Sequence, residues 1–392
     1  QASNDIDMES KIYVKIPEMV SKGLVEMDDV DEAVRNVLRL KFRLGIFERP
    51  YTSTERLSTR YLTEDYRSIA EQLAIESAVL LKNDDLLPIG ERKKIYLGGN
   101  LLTDREALMG NWLAHGNTND VIGIREGFET YLPRYSKIVD SPDQADIIVL
   151  CLGEKKKMSG ENGSRSTLKL HNADEVARYE VFDKPIVLVV GSGRPIAYQT
   201  LEPKVDAILH LWQPGVEAGN ALAKLIFGLE NPSGKLAMTF PRSVGQIPIF
   251  YNRNQSARVG DKSWSGLYQD IESTPMYEFG YGLSYTTFTY QDLTIDNQTL
   301  EAKVKVMNTG SHKGKETLLW YIVDPEARIT QPIKKLKQFE KIELEPGEAQ
   351  IVSYQIQPEE HLSYVDSQGV MHLEPGDFHI EVGGLKASFT LD

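Results

Sequence analysis

The run Ile147-Ile148-Val149-Leu150-Cys151-Leu152 places six apolar residues in succession, leaving no side chain to face water. A strand of that kind must be covered on both faces, as happens in a parallel sheet packed between helices. The same reading extends to segments 78–81, 94–97, 136–139, 146–152, 185–190, 206–211 and 235–239. Helical stretches separate several of them, the clearest carrying Ala218, Ala221, Leu222, Leu225 and Ile226 on one face and stopping at Gly228. This alternation predicts an α/β sandwich with a mostly parallel sheet, over residues 51–245. A helix opened by Thr63 leads into it, with Tyr66, Ile69, Ala70, Leu73 and Ala74 as its apolar stripe.

The flanks follow other rules. Residues 1–50 read as helices without strands: a short one at 15–21, then one with Asp28 and Asp29 at its start and Val30, Ala33, Val34, Val37 and Leu38 on one face. Gly45 and Pro50 end it. Such helices are the edge of something larger. From residue 286 the pattern becomes period-2 alternation over 287–295, 300–308, 316–323, 334–344, 349–357 and 377–382. Turn signals such as Glu345-Pro346-Gly347 and Glu374-Pro375-Gly376 punctuate it, predicting a β-sandwich of fibronectin type III kind over 286–392. The linker 246–285 is rich in aromatics: Phe250, Tyr251, Trp264, Tyr268, Tyr277, Phe279, Tyr281 and Tyr285. Burial against neighbouring domains is the expected use of these rings, ahead of a sugar-sized cleft.

The 392 residues carry a net charge of −13, which disfavours nucleic acid or an anionic membrane surface as partner and suits a neutral substrate. No stretch approaches the length of a membrane span. Cys151 is the single cysteine, so no intrachain disulfide and no cysteine-based metal site is expected. The seven histidines show no metal-ligand spacing, and neither metal nor cofactor is expected. Because residue 1 is Gln, a processed or partial chain is expected. The sequons at Asn162, Asn254 and Asn297 are taken as coincidence.

Chemistry is concentrated in the loop Met158-Ser159-Gly160-Glu161-Asn162-Gly163-Ser164-Arg165, which follows the buried run. Loops at the carboxyl ends of parallel strands are where α/β folds place their sites. Glu161 is the loop's carboxylate and Arg165 its fixed cation; taken alone, the pair fits an ordinary solvated turn as well. Glu154, at the strand end, competes on position. Gly191-Ser192-Gly193-Arg194-Pro195 also follows a strand, but it lacks the third glycine of a dinucleotide fingerprint, and Pro195 is expected to open a helix. Asp120 reads as a surface acid.

Four stretches together resemble the family 3 glycoside hydrolases of β-glucosidase type. They are Glu76-Ser77-Ala78-Val79-Leu80-Leu81-Lys82-Asn83, Asn231-Pro232-Ser233-Gly234-Lys235-Leu236, Phe240-Pro241-Arg242-Ser243-Val244-Gly245-Gln246-Ile247-Pro248 and Phe279-Gly280-Tyr281-Gly282-Leu283-Ser284-Tyr285-Thr286. Gly193-Arg194-Pro195 and Trp212-Gln213-Pro214-Gly215 fall between them in the family's order. The resemblance implies a preceding (β/α)8 barrel, of which residues 1–50 are the closing helices. It implies a retaining hydrolase of terminal β-D-glucosyl residues, periplasmic or secreted. The family's nucleophile is an Asp in a Ser-Asp-Trp motif, which occurs nowhere in this sequence. By the resemblance Glu161, in Ser159-Gly160-Glu161 with Ser164-Arg165, is the general acid/base, and Arg165 and Ser159 contact substrate. The expected partners are a β-glucoside or oligosaccharide and an N-terminal barrel chain or segment. The chain alone is expected to be inactive. The alternatives are a non-catalytic carbohydrate-binding or assembly module, or a β-xylosidase or arabinosidase.

Overall fold

The apolar face foreseen near the start of the chain exists, but among the described residues it is covered only in part: Val30, Ala33 and Val37 are half-buried. The computed structural model describes residues 4–161, 163–254 and 268–392; Asn162 and Trp264, named above, lie outside these. The chain divides into two compact units, Gln1–Thr63 and Glu64–Asp392. The first holds α1 (Ile16–Ser21), α2 (Met27–Leu44) and α3 (Leu57–Arg60). Asp28 and Asp29 lie in the first turn of α2, where the helix dipole favours acids, and Gly45 caps its end. No residue of α2 is buried; Val34, Leu38, Leu40, Phe42 and Leu44 are exposed.

The second unit begins with α4 (Glu64–Ser77), β1 (Val79–Asn83), β2 (Lys94–Gly98), α5 (Arg105–Met109), α6 (Ile124–Tyr131) and β3 (Lys137–Val139). It continues with β4 (Ile147–Gly153), α7 (Glu175–Glu180), β5 (Ile186–Gly191), β6 (Ala207–His210) and α8 (Ala218–Ile226). The strands form one sheet in the order β1-β6-β5-β4-β2-β3. Every pair is parallel except β1 with β6. All residues of β4, β5 and β6 are buried, as their unbroken apolar runs require. One face packs on α4, α6 and α8 through residues such as Ile75, Phe128 and Leu222. The other is covered by Val176, Ile196, Tyr198 and Phe240.

Two expectations fail locally. Residues 235–239 form no strand; their backbone meets the 277–281 segment through isolated bonds, such as the Leu236 amide to the Tyr281 carbonyl at 2.8 Å. On α4, Tyr66, Ile69 and Leu73 are exposed, whereas Ala74 and Ile75 are buried. The side turned to the sheet carries Ala74 and Ile75 instead, and beside them half-buried Glu71 pairs with Lys224 of α8.

After the linker come β7 (Phe288–Ile295), β8 (Glu301–Asn308), β9 (Gly314–Val323), β10 (Lys335–Leu344) and β11 (Ala349–Gln355). The chain closes with α9 (Pro358–His361), β12 (Tyr364–Val365), β13 (Met371–His372), β14 (Gly376–Val382) and β15 (Leu385–Leu391). Sheets β10-β9-β14-β15 and β11-β8-β7 face each other over Trp320, Tyr354, Phe378 and Phe389. The period-2 pattern is therefore a two-sheet sandwich of fibronectin type III kind.

Three of the four stretches that carry the resemblance, those around Glu76, Asn231 and Tyr285, meet at the junction of these two layers; the fourth, through Arg242 and Gln246, bonds to the linker at 272–276. Asn231 Oδ1 accepts from the Ser284 hydroxyl and the Tyr285 amide, both at 2.8 Å, and its Nδ2 donates to the Lys313 carbonyl at 3.0 Å. Lys235 reaches Glu316 of β9 at 3.1 Å. Glu76, at the end of α4, receives Lys315 at 2.5 Å and Lys341 at 3.2 Å from β9 and β10. Gly234 packs where a Cβ would lie 2.3 Å from the Ala78 carbonyl oxygen. These motifs fasten one domain to the next. The linker aromatics take part: Tyr277 is buried near Tyr198, Tyr251 stacks on Phe279 with centroids 4.3 Å apart, and the Tyr285 hydroxyl donates to the Leu225 carbonyl.

Candidate active site

Because β3 lies outside β2 while β4 lies on its other side, the chain reverses direction between β2 and β4. Such reversal points leave a crevice at the carboxyl ends of the strands. Here Asn100, just after β2, closes it. Its side chain accepts from the Gly153 amide at 3.0 Å and donates to the Gly153 carbonyl at 3.1 Å. The loop from Glu154 onward is launched from that edge, with its root fixed by sheet geometry.

Glu154 does not face solvent. Its side chain is 2% exposed. Arg194 Nε donates to its two oxygens at 3.1 and 2.9 Å, Arg194 Nη2 donates at 2.7 Å, and the Ser192 hydroxyl adds a bond at 2.9 Å. A carboxylate held in a bidentate fork with a further donor is satisfied, which is the condition for burying it. Both of its oxygens are engaged by protein donors.

Glu161 is in the opposite situation: exposed, at the tip of a tight turn in which the Gly163 amide donates to the Gly160 carbonyl at 3.1 Å. Gly160 sits at φ +114°, and a Cβ there would come within 2.1 Å of Asn111 Nδ2. Only glycine fits on both counts. Ser159 is half-buried in extended backbone, φ −142°. Arg165 turns toward the root rather than the tip, its Nε 3.8 Å from Glu154 Oε1. With Thr167, Lys169 and His171 it lines a cavity of about 490 Å³ that Glu161 and Ser159 do not line. Burial lowers the His171 pKa, opposed by the Glu154 charge and aided by Arg165 and Lys155.

Sequence reasoning underrated Arg194. It comes from the Gly191-Ser192-Gly193-Arg194-Pro195 turn after β5, where Pro195 opens no helix. A phosphate site at a helix N-terminus is therefore not formed there. The signal was an arginine placed just beyond a buried strand, next to a strand ending in Glu154. His210 also sits at this edge, fully buried, with its Nδ1 2.7 Å from the Tyr198 hydroxyl and its pKa pushed down to about 3 by burial. It is a core residue. Among the described residues no cluster of His, Cys, Asp or Glu is arranged to hold a metal ion. No helix among them is long and apolar enough to cross a membrane.

Comparison with known proteins bears on the whole chain. Residues 78–285 match the glycosyl hydrolase family 3 C-terminal domain, and residues 316–386 match a fibronectin type III-like domain. A periplasmic β-glucosidase of Salmonella typhimurium is 33% identical over 98% of this chain and 58% of its own length. A putative β-xylosidase of Formosa agariphila is 33% identical over 98% of the chain and 54% of its own. A β-glucosidase of Listeria innocua, crystallised with laminaribiose, superposes with a TM-score of 0.90 at 32% identity, over 99% of this chain and 58% of that one. The chain thus spans little more than half the length of these relatives. With an α/β sandwich followed by a fibronectin-like sandwich, and matches running almost end to end, the chain belongs to glycoside hydrolase family 3.

Proposed function

We propose that this chain is the acid/base portion of a retaining β-glycoside hydrolase acting on terminal β-D-glucosyl residues, with Glu161 as general acid/base. The observation that carries this reading is the contrast between two carboxylates. Glu154 is buried and fully bonded, while Glu161 projects from a glycine-edged turn at the carboxyl edge of the sheet. Retaining hydrolysis needs two carboxyls about 5–5.5 Å apart across the scissile bond. One attacks the anomeric carbon. The other gives its proton to the leaving oxygen and then takes one from water. Glu161 fills the second role; the nucleophile comes from a barrel outside these 392 residues, since no Ser-Asp-Trp occurs among them. Ser159 borders the substrate beside Glu161, and Arg165 does so from the root of the loop, where it lies 3.8 Å from Glu154. The chain alone is inactive, for want of the attacking carboxylate. The named relatives include β-glucosidases and β-xylosidases, so the choice between glucose and xylose lies with the glycone pocket, most of it on the barrel. The periplasmic relative favours a periplasmic or secreted location.

The test uses Glu161→Ala in the barrel-completed enzyme, with aryl β-glucosides of poor and good leaving groups. Loss of the acid lowers kcat/KM by about 10²–10⁴-fold on the poor leaving group and much less on the good one. Azide, a nucleophile that needs no base, restores turnover. Equal losses on both substrates without azide rescue would refute the assignment, and turnover by the 392-residue chain alone would refute the division of labour.

A further inference from the structure

We infer that Arg194 is the positioning residue for Glu161, acting as a latch that ties both ends of the acid/base loop to one guanidinium. The inference rests on the acid/base reading of Glu161 and goes beyond it. At the loop's entrance Arg194 grips Glu154 through Nε and Nη2, at 2.7 to 3.1 Å. At the exit its Nη1 donates to the Thr167 carbonyl at 2.6 Å and its Nη2 to the Lys169 carbonyl at 3.5 Å. The Leu168 carbonyl between them accepts from the Ala197 amide at 2.9 Å, holding the exit beside the same turn. Arg165 adds a second, longer contact to Glu154 at 3.8 Å. The segment from Glu154 to Lys169 is thus a closed loop whose neck is one hydrogen-bonded fork between half-buried Arg194 and buried Glu154, with Glu161 near its apex.

The chemistry explains why arginine is required. A guanidinium presents five donors in a fixed plane, so it spans a carboxylate and two carbonyls at once; an ammonium neutralises the carboxylate but cannot fork. Closing the neck removes most of the loop's freedom, and freedom at the neck is amplified at the tip. A proton donor displaced by an ångström loses much of its advantage. Neither Arg194 nor Glu154 needs to touch substrate for this.

Trypsin reads the latch directly on the 392-residue chain, because Lys155, Lys157 and Arg165 are exposed cleavage points within the loop. Arg194→Lys keeps Glu154 paired but opens the neck, so loop cleavage should rise roughly tenfold while cleavage elsewhere stays at the wild-type rate. The double variant Glu154→Met/Arg194→Met removes both charges, leaving no lone buried ion to unfold the domain, and should show the same local acceleration. Loop cleavage at the wild-type rate in either folded variant overturns the proposal, as does acceleration spread evenly over the chain. In the full-length enzyme, azide should restore part of the turnover lost by Arg194→Lys. A loss that azide leaves untouched, where Glu161→Ala is rescued, overturns the positioning role. If Glu161→Ala itself is not rescued, the acid/base reading fails, and the trypsin result still judges the latch.

Discussion

Replacing Glu76 by Gln tests whether the ion pairs at the junction hold the β-sandwich to the α/β domain. Glu76 lies at the carboxyl end of α4, where the helix dipole disfavours an acid, yet it stays ionised to low pH. Burial alone would raise its pKa. Hydrogen bonds from Lys315 and Gln72, with the charge and hydrogen bond of Lys341, overcome this and bring it from 4.5 to about 2. That fall sets a ceiling of about 3 kcal/mol for what the folded surroundings contribute at neutral pH. The side chain is 26% open to water, as are those of Lys315 and Lys341 to similar extent, so screening reduces the usable part to about 1 kcal/mol. The folded carboxyl ionises more readily than the unfolded one. Its contribution is therefore complete above about pH 4.5 and fades as the pH falls toward 2. Urea unfolding followed by circular dichroism should place the Glu76→Gln midpoint about 0.5 M below wild type at pH 7, for a slope of about 2 kcal/mol/M. The two curves should converge on acidification. A gap that persists unchanged at pH 3, or no gap at pH 7, would show that the lysines are merely solvated neighbours.

Two glycines supply further expectations. Gly160→Ala forces a positive φ on alanine and drives a Cβ into Asn111, so in the barrel-completed enzyme kcat/KM should fall by about tenfold or more while the melting temperature moves by only a few degrees. Wild-type kinetics for that variant would mean that the turn tip has no fixed conformation to lose. Gly234→Ala sets a Cβ 2.3 Å from the Ala78 carbonyl and should cost about 1–3 kcal/mol in unfolding experiments. Gly245→Ala, whose Cβ would approach nothing closer than 3.8 Å, is the control and should be close to neutral.

Much of the fold was legible because its signals are local. The buried runs at 147–152 and 185–190 can only be central strands, and the alternation after residue 286 can only be a half-buried sheet surface. Strand β15 went unforeseen although Leu385, Ala387, Phe389 and Leu391 alternate with Lys386, Ser388 and Thr390; only Phe389 among them is fully buried, and the strand is completed by its pairing with β14. Segment 235–239 misled for the opposite reason. Its residues suit a strand, but its partner is an irregular stretch some forty positions away, which offers isolated bonds instead of a ladder.

The candidate site divides in the same way. Composition and spacing alone settled that a carboxylate and a cation stand on a glycine-edged loop after the central strand, since strand end, turn residues and charge are properties of neighbours in sequence. Which acid is free was decided only by tertiary structure. Glu154 and Arg194 are forty positions apart and become partners because β4 and β5 lie side by side in parallel, delivering both side chains to one edge of the sheet. Burial then makes their pairing obligatory, for an ion without a partner there would destabilise the domain by several kcal/mol. Glu161, with no such claim on it, is left in the open.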